Sequence, residues 1–274
     1  MNVPPLTDAE FARIYDFVLC NFGINLEKKR ALVEARLSFY ITKRGFRSFG
    51  EYLNVVMRDP NGWECRHMLN RLSTNYTYFF RERPALDYAA QVLVPEMGSQ
   101  GKKRLEIWCA GCASGEEAYS LAMMLQSTTQ VKLGLLDYSI YATDIDTDLL
   151  DVARAGNYPK EQLEKIPIEY REFVQRQGER IQMTDEVMHH IDWGYENLMN
   201  ITYSSRWDII FCRNVMIYFK PQTREDLTVA LHRALRPGGC MIVGATESVD
   251  MRRRLFEHRE PTVYRKTVKK LMDA

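Results

Sequence analysis

The sequence predicts an α/β protein: an open, mostly parallel sheet wound with helices on both faces, preceded by a small all-helical domain. Three observations carry this. Residues up to about 88 show helical spacing and capping signals but no strand pattern. From about Lys102 strand-like and helix-like segments alternate, the order that yields parallel strands with helical crossovers. The first strand of that part then runs into a glycine loop that opens a helix, Ala110-Gly111-Cys112-Ala113-Ser114-Gly115, a form that lets a ligand come close to the backbone. The domains are drawn accordingly at residues 1–88 and 89–274.

In the helical part, Thr7-Asp8-Ala9-Glu10 is a capping box. It leads into Phe11, Ile14, Tyr15, Val18 and Phe22, an apolar stripe at helical spacing. A second helix is expected over 26–44, with Gly45 placed to end it. Ser48-Phe49-Gly50-Glu51 is another capping box, opening a helix that Pro60 closes, and 63–72 is a fourth helix. Strands are expected at 105–109, 139–143, 190–192, 208–212, 240–244 and 262–266, with helices at 116–126, 147–155 and 222–235. Arg236-Pro237-Gly238-Gly239 is a sharp turn. Residues 159–188 are polar and mixed, and are read as helix plus a short excursion on the rim of the sheet.

Composition narrows the classes. The 274 residues carry a net charge of +1, so there is no global electrostatic footprint for nucleic acid. Met1-Asn2-Val3-Pro4-Pro5 lacks the basic and then apolar pattern of a signal segment. No apolar run reaches the roughly 18 residues that would span a bilayer. A cytoplasmic protein without membrane insertion is therefore expected, with its six cysteines reduced. Cys109 and Cys112 form a Cys-x-x-Cys, but no second pair stands at metal-site spacing, and no metal is expected. His189 and His190 are read as surface or strand-edge residues.

Ligands in doubly wound sheets sit beyond the carboxyl ends of the strands, and four segments fall there. The first is the glycine loop, whose helix opens with Glu116 and Glu117. A pyrophosphate at that helix start would meet both acids, and the Lys-Ser/Thr pair of a triphosphate loop is absent. A ligand with a cationic end suits the loop, S-adenosylmethionine among them. The alternative is that the acids only complement the helix macrodipole. The second segment closes the next strand with Asp144-Ile145-Asp146, where an acid can accept from ribose hydroxyls; Asp144 could instead cap a helix. The third is Tyr195-Glu196-Asn197-Leu198, placed to touch an adenine ring, and the fourth is Cys212-Arg213-Asn214-Val215-Met216-Ile217-Tyr218-Phe219. A fifth segment, residues 72–82, lies at the seam between the domains and mixes Asn75, Thr77 and Arg81 with a dense aromatic run.

These motifs make the chain resemble the CheR-type family, the glutamate O-methyltransferases of bacterial chemotaxis receptors. The resemblance rests on Asn75-x-Thr77-x-Phe79-Phe80-Arg81-Glu82, Gly115-Glu116-Glu117-x-Tyr119-Ser120, Asp144-Ile145-Asp146 and residues 211–219, and it runs from about residue 10 to 266. It implies a Rossmann-like S-adenosylmethionine-dependent methyltransferase domain behind the helical one. It implies cofactor contact by Asn75, Thr77, Arg81, Glu117, Asp144, Asn197, Leu198, Arg213 and Asn214, with Arg81 and Tyr218 nearest the transferred methyl. The product pair would be a glutamyl methyl ester and S-adenosylhomocysteine. A glutamate with a reference pKa near 4.3 is already a nucleophilic carboxylate at neutral pH. Such a transfer asks for in-line placement and exclusion of water rather than a general base. On this reading Arg81 orients the incoming carboxylate and Tyr218 shapes the pocket around sulfur and methyl.

Between Glu27 and Arg47 seven basic residues face two acids, and Lys29, Arg36 and Lys43 recur at seven-residue spacing. The family suggests that this stripe docks on the cytoplasmic helical region of a methyl-accepting receptor; a solvated helix flank is the plain alternative. The best-known members carry more arginine further along this helix, where this chain has Phe39, Tyr40 and Thr42. Some members also carry a longer glycine-rich loop near 174–180 that holds a receptor tail peptide. Here it is short, with Gly178 alone, so tail tethering is not expected. A monomer is expected. The rival within enzymes is a nucleic-acid methyltransferase, but the Asp/Asn-Pro-Pro-aromatic turn of amino-directed DNA methylases is replaced by Arg213-Asn214-Val215, and no arginine-aromatic stacking platform stands out. A non-catalytic receptor-binding homologue is a rival of another class; Arg81, Glu117, Asp144 and Tyr218 argue against it. A nicotinamide dehydrogenase fails on the acids at the helix start.

Overall fold

The computed structural model describes residues 4–60 and 62–267; the first residues of the expected signal-free start lie outside them. The helical part holds α1 (Asp8–Phe22), α2 (Arg30–Lys43), α3 (Phe49–Arg58) and α4 (Trp63–Leu72). The box before α1 is complete, with Thr7 and Glu10 each accepting from the other's backbone. The Glu10 carboxylate also accepts from the Gly50 amide at 2.7 Å, so one acid caps two helices. Before α3 the expected box is only half formed: Ser48 accepts from Glu51 N, but the Glu51 carboxylate turns to Arg47 N. The second helix starts at Arg30 rather than 26, because Leu26 is drawn into the core and 26–29 closes as a turn. Ile14, Leu37, Ile41, Leu53 and Met68 fill the core of this bundle.

After the seam the chain forms α5 (Arg83–Tyr88), a π-turn over Ala89–Leu93 and α6 (Val94–Ser99) as one helical run. Residues 89–99 have no expected element. Pro95, which cannot donate a backbone bond, stands just beyond the widened turn. The packing of this run belongs to the sheet: Leu86, Leu93 and Val94 join its large core, and the change of core comes between Leu72 and Phe79.

The sheet is built from β1 (Arg104–Ala110), β2 (Asp137–Asp144), then β3 (Asn157–Pro159), β4 (Val174–Gln177) and β5 (Arg180–Met183) set aside, β6 (Ile191–Tyr195), β7 (Trp207–Cys212), β8 (Leu235–Val243), β9 (Phe256–Glu260) and β10 (Val263–Lys266). Its order is β6-β2-β1-β7-β8-β10-β9, parallel except that β10 runs antiparallel to both of its neighbours, β8 and β9. The connecting helices are α7 (Glu116–Gln126), α8 (Thr129–Lys132), α9 (Thr147–Ala155), α10 (Asp185–Met188) and α11 (Pro221–Ala234). Alternating residues of β7 face opposite cores, Ile209 and Phe211 on one side, Ile210 and Cys212 on the other. Burial on both faces explains its unbroken apolar run. At its foot the buried Asp208 ion-pairs with Lys102 and Arg236 and accepts from Glu106 N.

Two expectations are corrected. Residues 159–188 hold less helix and more sheet than expected: two 3-10 stretches (Lys160–Lys165, Ile168–Phe173) lead into the hairpin β4–β5, which with β3 forms a separate three-stranded antiparallel sheet, and α-helix returns only at Asp185–Met188. Gly178, at φ +62°, makes its two-residue turn possible. An arginine-aromatic cluster also exists: Arg206 lies over Trp207 at 4.4 Å and over Tyr203 at 4.9 Å. Trp207 is 1% exposed, so this cluster packs the far face of the sheet. Among the described residues no helix is long and apolar enough to cross a membrane.

Candidate active site

β1 has β2 on one flank and β7 on the other, so strand order reverses there, and ligand crevices open at such points. A cleft lies at the carboxyl ends of these strands and encloses about 1030 Å³ of empty space, its open mouth included. Asn75, Thr77, Arg81, Glu117, Asp144, Asn197, Leu198, Arg213, Asn214 and Tyr218 all border it, and Lys29 reaches it from the loop before α2. Arg36 and Lys43 do not. Arg36 spends Nη1 on the last carbonyls of α4, reaching Ser73 O at 2.6 Å, while Lys43 is exposed.

The inner wall is the glycine loop. The Gly111 and Cys112 amides donate to Thr143 O, folding the loop onto the end of β2. Gly111 has φ +86°, and a Cβ there would stand 2.4 Å from Val215 Cγ2. The Ala113 and Asp146 amides donate to the two oxygens of Asp144 at 2.7 and 2.9 Å. Burial outweighs those bonds and pushes the Asp144 carboxyl up to about 6. Glu116 and Glu117 part company. Glu116 is buried away from the cleft, accepting from Ser114 Oγ, and only Glu117 faces it. Glu117 is also not a free anion, since Arg213 Nη1 donates to it at 2.5 Å. Burial raises its carboxyl above the usual range while that guanidinium opposes the rise.

Arg213 has a fully buried side chain. Nη2 donates to Arg81 O and to the Glu82 carboxylate, and Nε is buried without an acceptor. Glu82 also accepts from Asn214 Nδ2 at 3.1 Å and from Ala245 N at 2.9 Å. Burial works against its charge, but these bonds and Arg213 hold its carboxyl below the usual range. Four non-glycine residues with left-handed backbone meet at this place: Phe80 and Glu82 in the seam, Ala113 and Asn214 on the wall.

Among the described residues the helical unit is tied in at several points, one of them a reciprocal pair in which Asn70 Nδ2 donates to Thr147 Oγ1 and Thr147 N donates to Asn70 Oδ1. Asp146, which caps α9, accepts from Ser73 Oγ at 2.9 Å and Asn75 Nδ2 at 2.7 Å. Asn197 Nδ2 donates to Asn21 O while its Oδ1 accepts from Met199 N. Asn25 N donates to Tyr218 O, beside an antiparallel bridge of Ile24 with Phe219. Tyr218 thus sits between the units, with Lys29 Nζ 5.2 Å from its ring centre. Arg81 donates to Tyr76 O at 2.6 Å, and among the described residues its nearest acid is Glu82 at 3.9 Å. Sequence reasoning missed Asp146, Ser73 and Glu82 as working parts. Glu82 could have been found, since it completes the Arg81 motif. Asp146 is read there only as a neighbour of Asp144.

A cleft at the strand reversal, an acid on the first crossover helix and another closing the second strand define a class, the S-adenosylmethionine-dependent methyltransferases. The model "CheR methyltransferase, SAM binding domain" matches residues 75–265, and "CheR methyltransferase, all-alpha domain" matches residues 9–73. The chain therefore belongs to the CheR methyltransferase family. It is 33% identical over 270 residues to a chemotaxis protein methyltransferase of Borreliella burgdorferi, with 95% of each chain covered. To chemotaxis protein methyltransferase 1 of Vibrio cholerae it is 35% identical, covering 91% of this chain and 92% of that one. To the Escherichia coli chemotaxis protein methyltransferase it is 32% identical, covering 94% and 91%.

Proposed function

We propose that this protein methylates glutamate side-chain carboxylates on the cytoplasmic helices of bacterial chemoreceptors, giving glutamyl methyl esters and S-adenosylhomocysteine. One observation carries the reading: a single cleft joins an acid-lined inner wall to a mouth bordered by the cations Arg81 and Lys29 and the Tyr218 ring. The donor fits the wall by its chemistry. Glu117 suits an ammonium, the unpartnered Arg213 Nε suits a carboxylate, and Asp144 has lone pairs left for ribose hydroxyls. Asn75, Thr77, Asn197, Leu198 and Asn214 would complete the cradle. When bound, S-adenosylmethionine supplies the electrophilic methyl. Arg81 would draw and orient the incoming carboxylate, and Tyr218 would hold the mouth narrow and exclude water.

The receptor-facing part of the reading is adjusted. Lys29 acts at the mouth and Lys43 on the open flank of α2, while Arg36 chiefly secures the end of α4. The change of core between Leu72 and Phe79 supports drawing the functional division near residue 74 rather than at 88. The two-residue turn of β4–β5 gives little to hold a tail peptide. The work would be done in the cytoplasm, by one chain. The test is incubation with labelled donor and a panel of receptor cytoplasmic fragments. Base-labile label on the fragments is expected; base-stable label, or label on RNA alone, would end the proposal.

A further inference from the structure

Glu247 lies in the turn after β8, within Gly244-Ala245-Thr246-Glu247, and nothing in its sequence setting marks it. Its carboxylate nonetheless reaches the loop that leaves β7. Oε2 accepts from Asn214 N at 2.7 Å and Gly244 N at 2.7 Å, and Oε1 accepts from Ile217 N at 3.2 Å. Those three amides belong to the ends of two neighbouring parallel strands and to the 3-10 turn Met216–Tyr218 that presents Tyr218. Asn214 sits at φ +60°, a left-handed conformation that asparagine tolerates better than most residues and that bonds from its surroundings help to hold. Glu247 holds its backbone amide while Glu82 holds its side-chain amide. The fit is tight. A Cβ on Gly244 would stand 2.8 Å from Glu247 Oε2 and 2.9 Å from Asn214 N.

We infer that Glu247 is a positioning residue: its carboxylate fixes the Asn214–Tyr218 loop, and through it the Tyr218 ring at the mouth of the cleft. An acid does this better than an amide, because three N–H groups converge on it and a carboxylate is acceptor-only. Glu247→Gln keeps one oxygen for the Asn214 and Gly244 amides but turns an NH2 toward Ile217 N. Glu247→Ala leaves all three amides without their acceptor. A loop displaced by about 1 Å can cost on the order of a hundredfold in rate.

This inference rests on the methyl-transfer reading for its kinetic arm only. Turnover with receptor fragment and labelled donor is expressed per product-binding site, counted by calorimetric titration with S-adenosylhomocysteine, so that unfolded protein does not enter. Glu247→Ala is expected to fall at least about tenfold, and Glu247→Gln to recover most of that loss. The second arm needs no activity. Amide hydrogen exchange of the ligand-free protein is expected to quicken in Glu247→Ala at residues 214–218, with the amides of β1 unchanged. Unchanged exchange at 214–218, or per-site turnover within about twofold of the parent, would overturn the assignment. An inactive parent enzyme would defeat the methyl-transfer reading instead and leave the exchange arm to decide.

Discussion

Arg81 and Tyr218 face the mouth of the cleft, whereas Glu117, Asp144 and Arg213 line its inner wall, and the two groups should separate in kinetics. Arg81→Ala and Tyr218→Phe are expected to lower kcat by roughly ten- to a hundredfold while S-adenosylhomocysteine affinity changes less than about threefold. Steady-state rates paired with calorimetry check this; loss of affinity without loss of kcat would refute it. Asp144 gives a pH prediction. Burial raises its carboxyl from 3.8 to about 6 in the folded protein, so the folded state holds that proton more tightly than the unfolded chain. Its stabilising contribution is complete below the unfolded value and is lost as pH rises through about 6. Glu116, Glu117 and Asp146 are raised too, again by burial first, and share that sign. The difference between parent and Asp144→Asn melting curves across pH 4–7 isolates the one group: the variant's stability should fall less over that range. Product affinity of the parent should climb with pH to about 6 and then level, and Asp144→Asn should flatten the climb. At this scale most of the site was legible, because strand-end residues of a known sheet type announce themselves. The pairing of Glu117 with Arg213 was not, since it joins residues 96 positions apart. Nor was the grip of Glu247 on Asn214, which depends on β7 and β8 lying side by side.

Elements with a strong period were read almost to the residue. The helices at Trp63–Leu72, Glu116–Gln126 and Thr147–Ala155 coincide with expectation because each has clear apolar spacing and distinct ends. The strands β3, β4 and β5, of three or four residues each, are too short for alternation to register, and β4 is exposed along most of its length. Strand β9 escaped notice for the same reason: Phe256 is buried and the four residues after it are exposed and charged or polar. Charge along an edge strand also discourages pairing with another chain. A prediction belongs here for β7. Its foot is anchored by Asp208, 1% exposed and bound by Lys102, Arg236 and the Glu106 amide. Asp208→Ala removes all three bonds at once but lets both cations, about a third exposed, return to water. A loss of about 2–3 kcal/mol is expected in urea unfolding, against less than about 0.5 kcal/mol for a control at the exposed Asp151–Arg154 pair.

The whole molecule works as two units, a helical bundle with one core and a sheet with a core on each face, that share one cleft. Asp146, Asn197 and the Asn25–Tyr218 bond each join the units at its rim. A ligand in the cleft should therefore stiffen both at once. At a hundred times its Kd, S-adenosylhomocysteine stabilises the state it binds by about 2.7 kcal/mol. Hydrogen exchange is expected to slow at Asn25 and Phe80 together with the amides of the glycine loop; slowing confined to the sheet unit would show that the helical unit does not sense the donor. The left-handed residues around the cleft carry a cost of another kind. Each of Phe80, Glu82, Ala113 and Asn214 holds a backbone shape that glycine would adopt freely, at roughly 1–3 kcal/mol apiece. Laboratory selection for heat tolerance alone should therefore drift toward glycine at Ala113 or Asn214, and the survivors should be hardier proteins and poorer catalysts.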